Sequence, residues 1–384
     1  MEYNSYQLQE VCSFIDYRGK TPPKTTAGIP LITAKIIKNG TILPPQEFIA
    51  KDYYDEWMRR GIPQKGSIVF TTEAPLGEVA QIKTDERIAF AQRVIVLEPN
   101  SERLYSDYLL YALQDQTLKE RIKARATGTT VIGIKAAELK KVIIDLPPIA
   151  VQKSISMVLR SLDDKIELNQ KINENLERQA QAIFQQMFPY TVTDALPDGW
   201  RVGTVGEIVE LHDAKRIPLS GTVREQMKSK TYPYYGAASL MGYVDDYIFD
   251  GKYLLLGEDG TVVDAAGYPV LQYVWGKFWV NNHAHILTGK QGFNIESLYL
   301  LFKQTPVKSI VTGAVQPKIS QANLRSIQVT IPPEDRILSF NGQIEPLFLQ
   351  IRLNEEQNTI LNTLRNTLLP KLMAGEIEVF DIQL

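Results

Sequence analysis

Cationic side chains are concentrated near the start of the chain, where they could contact a polyanion. Arg18, Lys20 and Lys24 lie in the segment RGKTPPK, whose glycine and prolines predict a turn, and Lys35 follows the next apolar stretch. Lysine and arginine supply most of the phosphate contacts through which proteins bind nucleic acids. The alternative interpretation is that these are ordinary solvated surface charges.

Two polar clusters interrupt segments that are otherwise apolar and predict strands. Gln92 and Arg93 lie within residues 89–97, and Asn281, Asn282 and His283 lie within residues 278–287, at positions offset by 190. Arginine, asparagine and glutamine can each form two parallel hydrogen bonds with a base edge. We therefore expect both clusters to be polar positions inside strands that contact DNA bases. The alternative is that they form the solvent face of a sheet.

A carboxylate follows a predicted strand in each half of the chain. Glu73, next to Thr72, precedes Glu258 by 185 positions, and a glutamate can accept a hydrogen bond from N4 of cytosine. A structural hydrogen bond explains these residues equally well. The candidate DNA-contacting residues are Arg18, Lys20, Lys24, Lys35, Thr72, Glu73, Gln92, Arg93, Lys215, Arg216, Tyr235, Glu258, Asn281, Asn282 and His283.

Strings that resemble catalytic or metal-binding motifs each lack an essential part. RGKT ends like a phosphate-binding loop, but Phe14 occupies the position of its first glycine. Asp198 followed by Asp213 and Lys215 matches a nuclease pattern that chance often produces. Three histidines and one cysteine leave no evident zinc ligand set, and no Asn-Pro-Pro-aromatic motif of an amino-methyltransferase is present. We expect no catalytic residue and no metal or cofactor bound by this chain.

The composition narrows the class of protein. The 384 residues predict two or three domains, and 42 Lys+Arg against 44 Asp+Glu give a formal charge of −2. Cys12 alone cannot form an intrachain disulfide, and no secretion signal is evident, so we expect a cytoplasmic protein. No segment approaches the roughly 18 apolar residues that span a bilayer. Near neutrality predicts weak DNA binding by the isolated chain, with local loops supplying the cations.

The chain contains an internal repeat. Thr127-Gly128 aligns with Thr312-Gly313 at an offset of 185, and the alignment continues without a gap through Pro147-Pro148 and Pro332-Pro333. Upstream of each copy, short apolar runs separated by glycine and proline predict a mixed α/β globule. Predicted strands are 67–71, 89–97, 142–146, 253–256 and 278–287, and predicted helices are 106–123 and 295–304.

Apolar residues after each proline pair advance by alternating steps of four and three for more than four heptads, which is typical of a coiled-coil seam. Asn169 and Asn173 lie in the first seam, and Asn354 and Asn358 lie in the second. Buried asparagines that pair with each other fix the register of such helices. In an antiparallel arrangement Asn169 would face Asn358 and Asn173 would face Asn354. Alternatively, these asparagines are solvated and each helix binds other proteins.

These patterns predict an α+β fold in which two α/β domains alternate with two long helices that pack as an antiparallel coiled coil, related by a pseudo-two-fold internal repeat. The predicted segments are 1–147, 148–189, 190–332 and 333–384. Pro346 is expected to kink the second helix or delay its start.

The chain resembles the specificity subunits of type I restriction-modification enzymes over nearly its whole length. The resemblance rests on Thr127-Gly128-Thr129-Thr130 with Pro147-Pro148, on the second copy from Thr312-Gly313 to Pro332-Pro333, and on the C-terminal segment LLPKLMAGEI. Glu334-Asp335 departs from the usual residues after the second proline pair.

The resemblance implies two target-recognition domains, each binding one half of a bipartite site in double-stranded DNA. It also implies that the helices fix the spacing and dock two methyltransferase subunits, with restriction subunits joining the complex. The subunit itself would be non-catalytic, while the other subunits use S-adenosylmethionine, ATP and Mg. The competing hypothesis is a protein-interaction adaptor with two related heads, and a stand-alone DNA-cleaving enzyme ranks third.

The predicted helix orientation can be tested by crosslinking. Cysteines introduced at positions 169 and 358 should form a disulfide within one chain, because antiparallel packing places them opposite each other. The measurement is a mobility shift on a non-reducing gel. A crosslink between cysteines at 169 and 354 instead would indicate parallel packing.

Overall fold

The protein forms two compact units in a computed structural model that describes residues 3–17, 19, 21–313 and 315–379. Unit 1 comprises residues 1–168 and 357–384, and unit 2 comprises residues 169–356. Each unit therefore contains one globule and a part of each long helix.

Unit 1 begins with short strands and helices and ends in the first long helix. Its described strands are β1 (Asn4–Gln7), β2 (Cys12–Asp16), β3 (Ile29–Ile32), β4 (Ile37–Lys38), β5 (Thr41–Ile42), β6 (Phe48–Ile49), β7 (Ile68–Thr72), β8 (Leu76–Gln81), β9 (Ala89–Phe90), β10 (Val94–Pro99) and β11 (Ile143–Leu146). Its α-helices are α1 (Leu8–Val11), α2 (Tyr54–Trp57), α3 (Ser106–Ala112), α4 (Gln116–Ala124), α5 (Ala136–Lys140) and the first part of α6 (Ile149–Met187).

Unit 2 repeats this order of elements. Its described strands are β12 (Arg201–Thr204), β13 (Val209–Leu211), β14 (Tyr232–Tyr235), β15 (Leu240–Val244), β16 (Phe249–Asp250), β17 (Tyr253–Gly257), β18 (Leu271–Val274), β19 (Lys277–Val280), β20 (Ala284–Gly289) and β21 (Gln328–Ile331). Its α-helices are α7 (Val205–Ile208), α8 (Gly221–Gln226), α9 (Ile295–Phe302), α10 (Gln321–Arg325) and the first part of α11 (Glu334–Met373), whose last part belongs to unit 1.

The two units share one sheet topology. The central sheet is antiparallel, with strand order β2-β10-β7-β8 in unit 1 and β13-β20-β17-β18 in unit 2. A second sheet contains a parallel pair, β3 with β9 in unit 1 and β14 with β19 in unit 2. The globules are thus duplicated in structure, although their sequences repeat only loosely.

The central sheet of each unit is buried on both faces. In β7, Ile68 and Phe70 join one apolar cluster with residues of α3 and α6, whereas Val69 joins a second cluster under β3 and β9. In β17, Leu254 and Leu255 are divided between two clusters in the same way. Alternate side chains of a strand point to opposite faces, so a sheet covered on both sides requires continuous apolar strands. This explains the unbroken apolar runs of the sequence.

The predicted helix at 106–123 is wrong as a single element, because the chain forms α3 and α4 there. Asp115 lies between them in an extended conformation, and its side chain accepts a hydrogen bond from the N–H of Thr117. This N-cap starts a new helix, since it satisfies a backbone donor that the first turn leaves without a partner. The predicted strand at 253–256 is confirmed as β17, and the helix predicted at 295–304 is confirmed as the slightly shorter α9.

Both long helices begin directly after a proline pair, as predicted. The delayed start expected from Pro346 is wrong, because α11 begins at Glu334 and is continuous through Pro346. Glu334 and Asp335 occupy the first turn of α11, where carboxylates interact favourably with the positive end of the helix dipole. Within the described part of the chain, no helix is long and apolar enough to cross a membrane.

The two long helices run antiparallel within unit 2. The side-chain amide of Asn354 donates to Oδ1 of Asn173 at 2.7 Å, and the Phe184 and Phe340 rings lie 5.5 Å apart. The partner number falls as the α6 number rises, which defines the antiparallel direction. The predicted pairing of Asn173 with Asn354 is therefore confirmed, whereas the pairing of Asn169 with Asn358 stays a prediction.

The asparagine pair belongs to a short chain of hydrogen bonds. Gln350 Nε2 donates to Asn354 Oδ1 at 2.8 Å, and Asn173 Nδ2 donates to Glu355 Oε1 at 2.7 Å. Both asparagines are buried, so removing one leaves the other with lost hydrogen bonds in a low-dielectric seam. The pair consequently fixes the register of the helices in unit 2.

We predict that Asn354→Leu destabilises the protein by about 1–3 kcal/mol, because it leaves the buried Oδ1 of Asn173 without its hydrogen-bond donor. The double variant Asn173→Leu/Asn354→Leu should recover much of this loss, since two leucines can pack in the seam. The measurement is the free energy of unfolding in urea. Asn366→Leu, at an exposed position of α11, is the control, and additive losses in the double variant would contradict the pairing.

Candidate nucleic-acid interface

The predicted polar clusters lie in turns where the chain passes from one sheet to another. In unit 1, β9 pairs with β3, and β10, which begins four residues after the end of β9, pairs with β2 and β7. Ala91, Gln92 and Arg93 connect them, and the last two are exposed. The prediction that these residues lie within one strand is therefore wrong. The ends of this connection still bind the two sheets, because the N–H of Ala91 donates to Ile32 of β3 and the N–H of Thr72 of β7 donates to Arg93.

The same crossing occurs in unit 2 between β19 and β20. The N–H of Asn281 donates to the carbonyl of Tyr235, just as the N–H of Ala91 donates to the carbonyl of Ile32 in unit 1. The offset of 190 between the two clusters is thereby confirmed. Asn281 itself is buried, and its Oδ1 accepts a hydrogen bond from the N–H of His283 at 2.8 Å. Asn282 is exposed, and His283 is partly exposed.

Each crossing turn carries a basic residue whose side-chain nitrogen contacts a carboxylate. Arg93 Nε lies 2.9 Å from Glu73 Oε1, and His283 Nδ1 lies 2.5 Å from Asp259 Oδ1. We name these the unit 1 pair and the unit 2 pair. Both pairs are partly exposed, so their polar groups are accessible to solvent although the adjoining strands are apolar.

The equivalence of Glu73 with Glu258 was wrong by one residue. Ile134 N–H donates to the carbonyl of Thr72, and the repeat-related Ile319 N–H donates to the carbonyl of Glu258. Thr72 therefore corresponds to Glu258, and Glu73 corresponds to Asp259. The candidate DNA-contacting residues chosen from the sequence do not include Asp259. The two neighbouring carboxylates of Glu258-Asp259-Gly260 are the signal that could have identified it.

The glycine of each repeated Thr-Gly element lies in a tight loop beside these carboxylates. Gly128 has φ of 122° and Gly313 has φ of 87°, and an added Cβ would lie 2.1 Å and 2.3 Å from backbone oxygens of Val131 and Gln316. Only glycine fits such a close approach in the left-handed region. The loop of unit 1 ends at Gly133, which forms a bridge with Glu73. The Thr-Gly elements thus support the carboxylates of the pairs.

Arg216 and Glu258 lie in an ion network beneath the crossing turn of unit 2. Arg216 Nη1 donates to Glu258 Oε2 at 2.5 Å and to the carbonyls of Ala284 and Asn282 at 2.9 Å and 3.3 Å. Each of the two side chains is 13% exposed, and Lys318 Nζ lies 3.2 Å from Glu258 Oε1. These contacts give Arg216 and Glu258 a structural role that fixes the turn from below. A contact with DNA stays a prediction for both.

Asp213 and His285 complete this ion network. His285 Nδ1 lies 2.6 Å from Asp213 Oδ2, and His285 Nε2 lies 2.8 Å from the carbonyl oxygen of Ile319. Gln321 Nε2 donates to Asp213 Oδ2 at 2.6 Å, and the N–H of Ile286 donates to Asp213 Oδ1. Both His285 and Asp213 are buried, so their polar atoms depend on one another for hydrogen bonds.

The carboxylates of the network are held in their ionised form. Burial opposes ionisation of Asp213, but hydrogen bonds from His285 and Ile286 and the charge of Arg216 outweigh it, so the pKa of Asp213 lies below its ordinary value. Burial likewise opposes ionisation of Glu258, and the hydrogen bond from Arg216 with the neighbouring positive charges lowers its pKa overall.

Among the described residues, Asp213, Glu258 and His285 could together hold a metal ion, since their ligand atoms lie within 4.8 Å of one another. Arg216 is already bound to both carboxylates, with Nη2 lying 3.5 Å from Asp213 Oδ2. Both nitrogens of His285 are directed at oxygen atoms. The arrangement is therefore that of an internal ion network in which side-chain cations balance the carboxylates.

The remaining candidates are distributed over both units. Arg18 and Lys20 lie outside the described residues. Lys24 is exposed and forms a surface ion pair with Glu47 at 2.8 Å, and Lys35 is exposed in a short 3₁₀ turn.

Thr72 is buried at the end of β7, so its side chain is a poor candidate for base contact. Lys215 is exposed in the turn that carries Arg216. Tyr235 is half-buried, with its ring 5.8 Å from that of Phe278.

Comparisons with known proteins identify relatives along the whole chain. The family model described as Type I restriction modification DNA specificity domain matches residues 1–178 and 197–366. The type I restriction enzyme MjaIX specificity subunit of Methanocaldococcus jannaschii is 28% identical over 388 residues, which covers 92% of this chain and 88% of that protein. The type I restriction enzyme HindI specificity subunit of Haemophilus influenzae is 21% identical and covers 82% of this chain and 87% of its own length.

A solved structure shows the same fold. The S subunit of a type I restriction-modification system from M. genitalium aligns with a TM-score of 0.57 at 18% identity. The alignment covers 97% of this chain and 96% of the other. The chain therefore shares its duplicated architecture with the S subunit from M. genitalium.

We predict that Asp213→Ala destabilises unit 2 by about 3–5 kcal/mol at neutral pH, because it leaves the largely buried guanidinium of Arg216 and the buried imidazole of His285 without their carboxylate partner. Folding lowers the pKa of Asp213. The stability that its ionised carboxylate contributes is therefore fully present above the ordinary pKa of about 3.9, and it is lost as the pH falls through the lower pKa of the folded state. The difference in unfolding free energy from the natural protein should therefore shrink below about pH 4.

The matched control is Glu47→Ala, which removes a surface ion pair and should cost less than about 1 kcal/mol. The measurement is urea unfolding from pH 3 to pH 8. Equal losses for the two variants at neutral pH would contradict the role of the network.

Proposed function

The chain belongs to the family of type I restriction-modification DNA specificity proteins, and on that premise we propose how it recognises DNA. Residues 1–147 and 190–332 would form the two target-recognition domains, each contacting one half of a bipartite site in double-stranded DNA. Residues 148–189 and 333–384 would form the helices that set the spacing between the halves. The start of α6 at Ile149 and of α11 at Glu334 supports these boundaries.

The observation that carries this proposal is the duplicated crossing turn. Each unit presents an exposed polar cluster where a strand changes sheets, with a carboxylate beside it. Gln92 and Arg93 are the base-contacting candidates of unit 1, and Asn282 and His283 are those of unit 2. The same framework with different side chains would let two related domains recognise two different half-sites.

Cationic side chains at other positions of the chain would supply phosphate contacts. Lys24, Lys35 and Lys215 are exposed, and Arg18 and Lys20 belong to the same proposed set. Phosphate contacts supply affinity without sequence preference. With a formal charge of −2, the chain would bind DNA weakly by itself and more tightly in a complex.

In this proposal the chain acts as the non-catalytic part of a larger assembly in the cytoplasm. Two methyltransferase subunits would dock on the long helices, and restriction subunits would join them. S-adenosylmethionine, ATP and Mg would be used by those subunits. The internal engagement of Asp213, Glu258 and His285 supports a structural role for the acidic cluster of unit 2.

We predict that variants of the two turns alter different halves of one methylated motif. Sequencing of methylated bases in cells that carry the methyltransferase subunits should show a bipartite motif with the natural chain. Gln92→Ala should relax one half only, and Asn282→Ala should relax the other, because each turn contacts its own half-site. Loss of discrimination should be about 5- to 150-fold at the affected base.

A gel-shift titration across salt concentrations separates this function from that of a protein-interaction adaptor. Phosphate contacts release counterions, so the affinity of the complex for DNA should fall linearly on a log–log plot as salt rises. Absence of DNA binding in the presence of the methyltransferase subunits would favour the adaptor. Lys65→Ala, at an exposed surface ion pair of unit 1, controls for general loss of charge.

A further inference from the structure

The unit 1 pair and the unit 2 pair occupy equivalent positions in the repeat, while the basic residue differs. A carboxylate follows the central strand in both units, as Glu73 and Asp259, and it contacts the third residue of the crossing turn. That third residue is Arg93 in unit 1 and His283 in unit 2. A purely structural ion pair gives no reason for the cation to change between duplicated domains. A position that contacts different bases in two half-sites does give a reason for the residue to change.

The backbone at Arg93 adds an independent observation. Its φ is 73°, in the left-handed region that disfavours residues with a branched or bulky side chain. The conformation is held by the N–H of Thr72, which donates to the carbonyl of Arg93 at 2.9 Å. Glycine would fit this position without strain. A long arginine held there indicates that the side chain, rather than the backbone, is what the position requires.

The guanidinium of Arg93 has more N–H donors than its ion pair with Glu73 uses. The ion pair of Arg93 with Glu73 uses Nε, and a guanidinium bound through Nε still offers the N–H groups of its two terminal nitrogens. Glu73 is itself held, because its backbone forms a bridge with Gly133. A guanidinium fixed in this way matches the O6 and N7 acceptors of guanine in the major groove.

We propose that Arg93 recognises the guanine of a G·C pair in the half-site bound by unit 1, with Glu73 as the positioning residue for the guanidinium. This inference rests on the proposed function and names one base within it. His283 has Nδ1 engaged by Asp259 and only Nε2 to offer. The equivalent position of the other half-site therefore lacks the two parallel hydrogen bonds that Arg93 can form.

The test uses the full chain with its methyltransferase subunits and a duplex DNA library that is randomised over the half-site of unit 1. Arg93→Gly should make one guanine position degenerate, with discrimination lower by about 5- to 150-fold and other positions unchanged. Its thermal unfolding midpoint should stay the same or rise, since glycine adopts the backbone conformation without strain. Arg93→Lys should keep the affinity for DNA but lose discrimination, because lysine lacks the planar fork.

Variants of Glu73 test the positioning role at the same base. Glu73→Ala should reduce discrimination at the guanine that Arg93→Gly affects, and Glu73→Gln, which keeps an oxygen acceptor for Arg93 Nε, should restore part of it. A structural role alone would not select one base position. Arg59→Gly removes another exposed arginine of unit 1 and should leave the motif unchanged.

Three results would overturn the inference. A uniform loss of affinity for all sequences in Arg93→Gly, with a salt slope smaller by about one, would make Arg93 a phosphate contact. A lower unfolding midpoint with an unchanged motif would make the pair structural. Degeneracy at a position other than guanine would assign another base. If the natural chain yields no bipartite motif, the proposed function fails, which is a separate outcome.

Discussion

Both units depend on a strand that leaves one sheet and enters another. Strand pairing with β3 ends at Phe90 and pairing with β7 begins at Val94. The short connection keeps one further hydrogen bond to each sheet, from the N–H of Ala91 to Ile32 and from the N–H of Thr72 to Arg93. Apolar side chains on both sides of the crossing are buried, which fixes its position. The exposed polar residues Gln92 and Arg93 occupy the short connection. The base-contacting candidates therefore lie where the fold itself creates an exposed, well-supported gap.

The support beneath the turn differs between the units. In unit 2, Arg216 binds the carbonyls of Asn282 and Ala284 from below and is balanced by Asp213 and Glu258. In unit 1, the residue equivalent to Glu258 is the neutral Thr72, so this charge balance cannot be repeated there. One fold has thus been stabilised by two different sets of interactions, which leaves each turn free to differ in sequence.

Much of the architecture could be predicted from the spacing of apolar residues, because that spacing follows which side chains are buried. The steps of four and three predicted both long helices, and the duplicated asparagines predicted the pairing of Asn173 with Asn354 that is observed. The delayed start expected from Pro346 is wrong, since a proline removes one hydrogen bond and does not decide where a long helix begins, whereas the kink stays a prediction. The helix at 106–123 was divided by the cap at Asp115, a local hydrogen bond that an apolar pattern does not reveal.

The candidate site was predictable in composition but not in geometry. An apolar segment that contains polar residues looks the same in the sequence whether it forms one continuous strand or two strands in different sheets. Only the strands with which it pairs distinguish these two cases. The error of one residue between Glu73 and Glu258 had the same origin. Alignment of similar letters paired two glutamates, whereas hydrogen bonds to Ile134 and Ile319 pair Glu73 with Asp259.

That correction changes how the two units compare. With the wrong register, Glu258 would be the partner of the turn, and its buried contact with Arg216 would argue against base recognition in unit 2. With the observed register, the buried pair supports the turn and the exposed pair of Asp259 and His283 lies above it. The ion network and the contact with the turn thus involve the neighbouring residues Glu258 and Asp259, which follow β17 directly. Under the proposed function, substitutions at the turn would change specificity while the network below it stays intact.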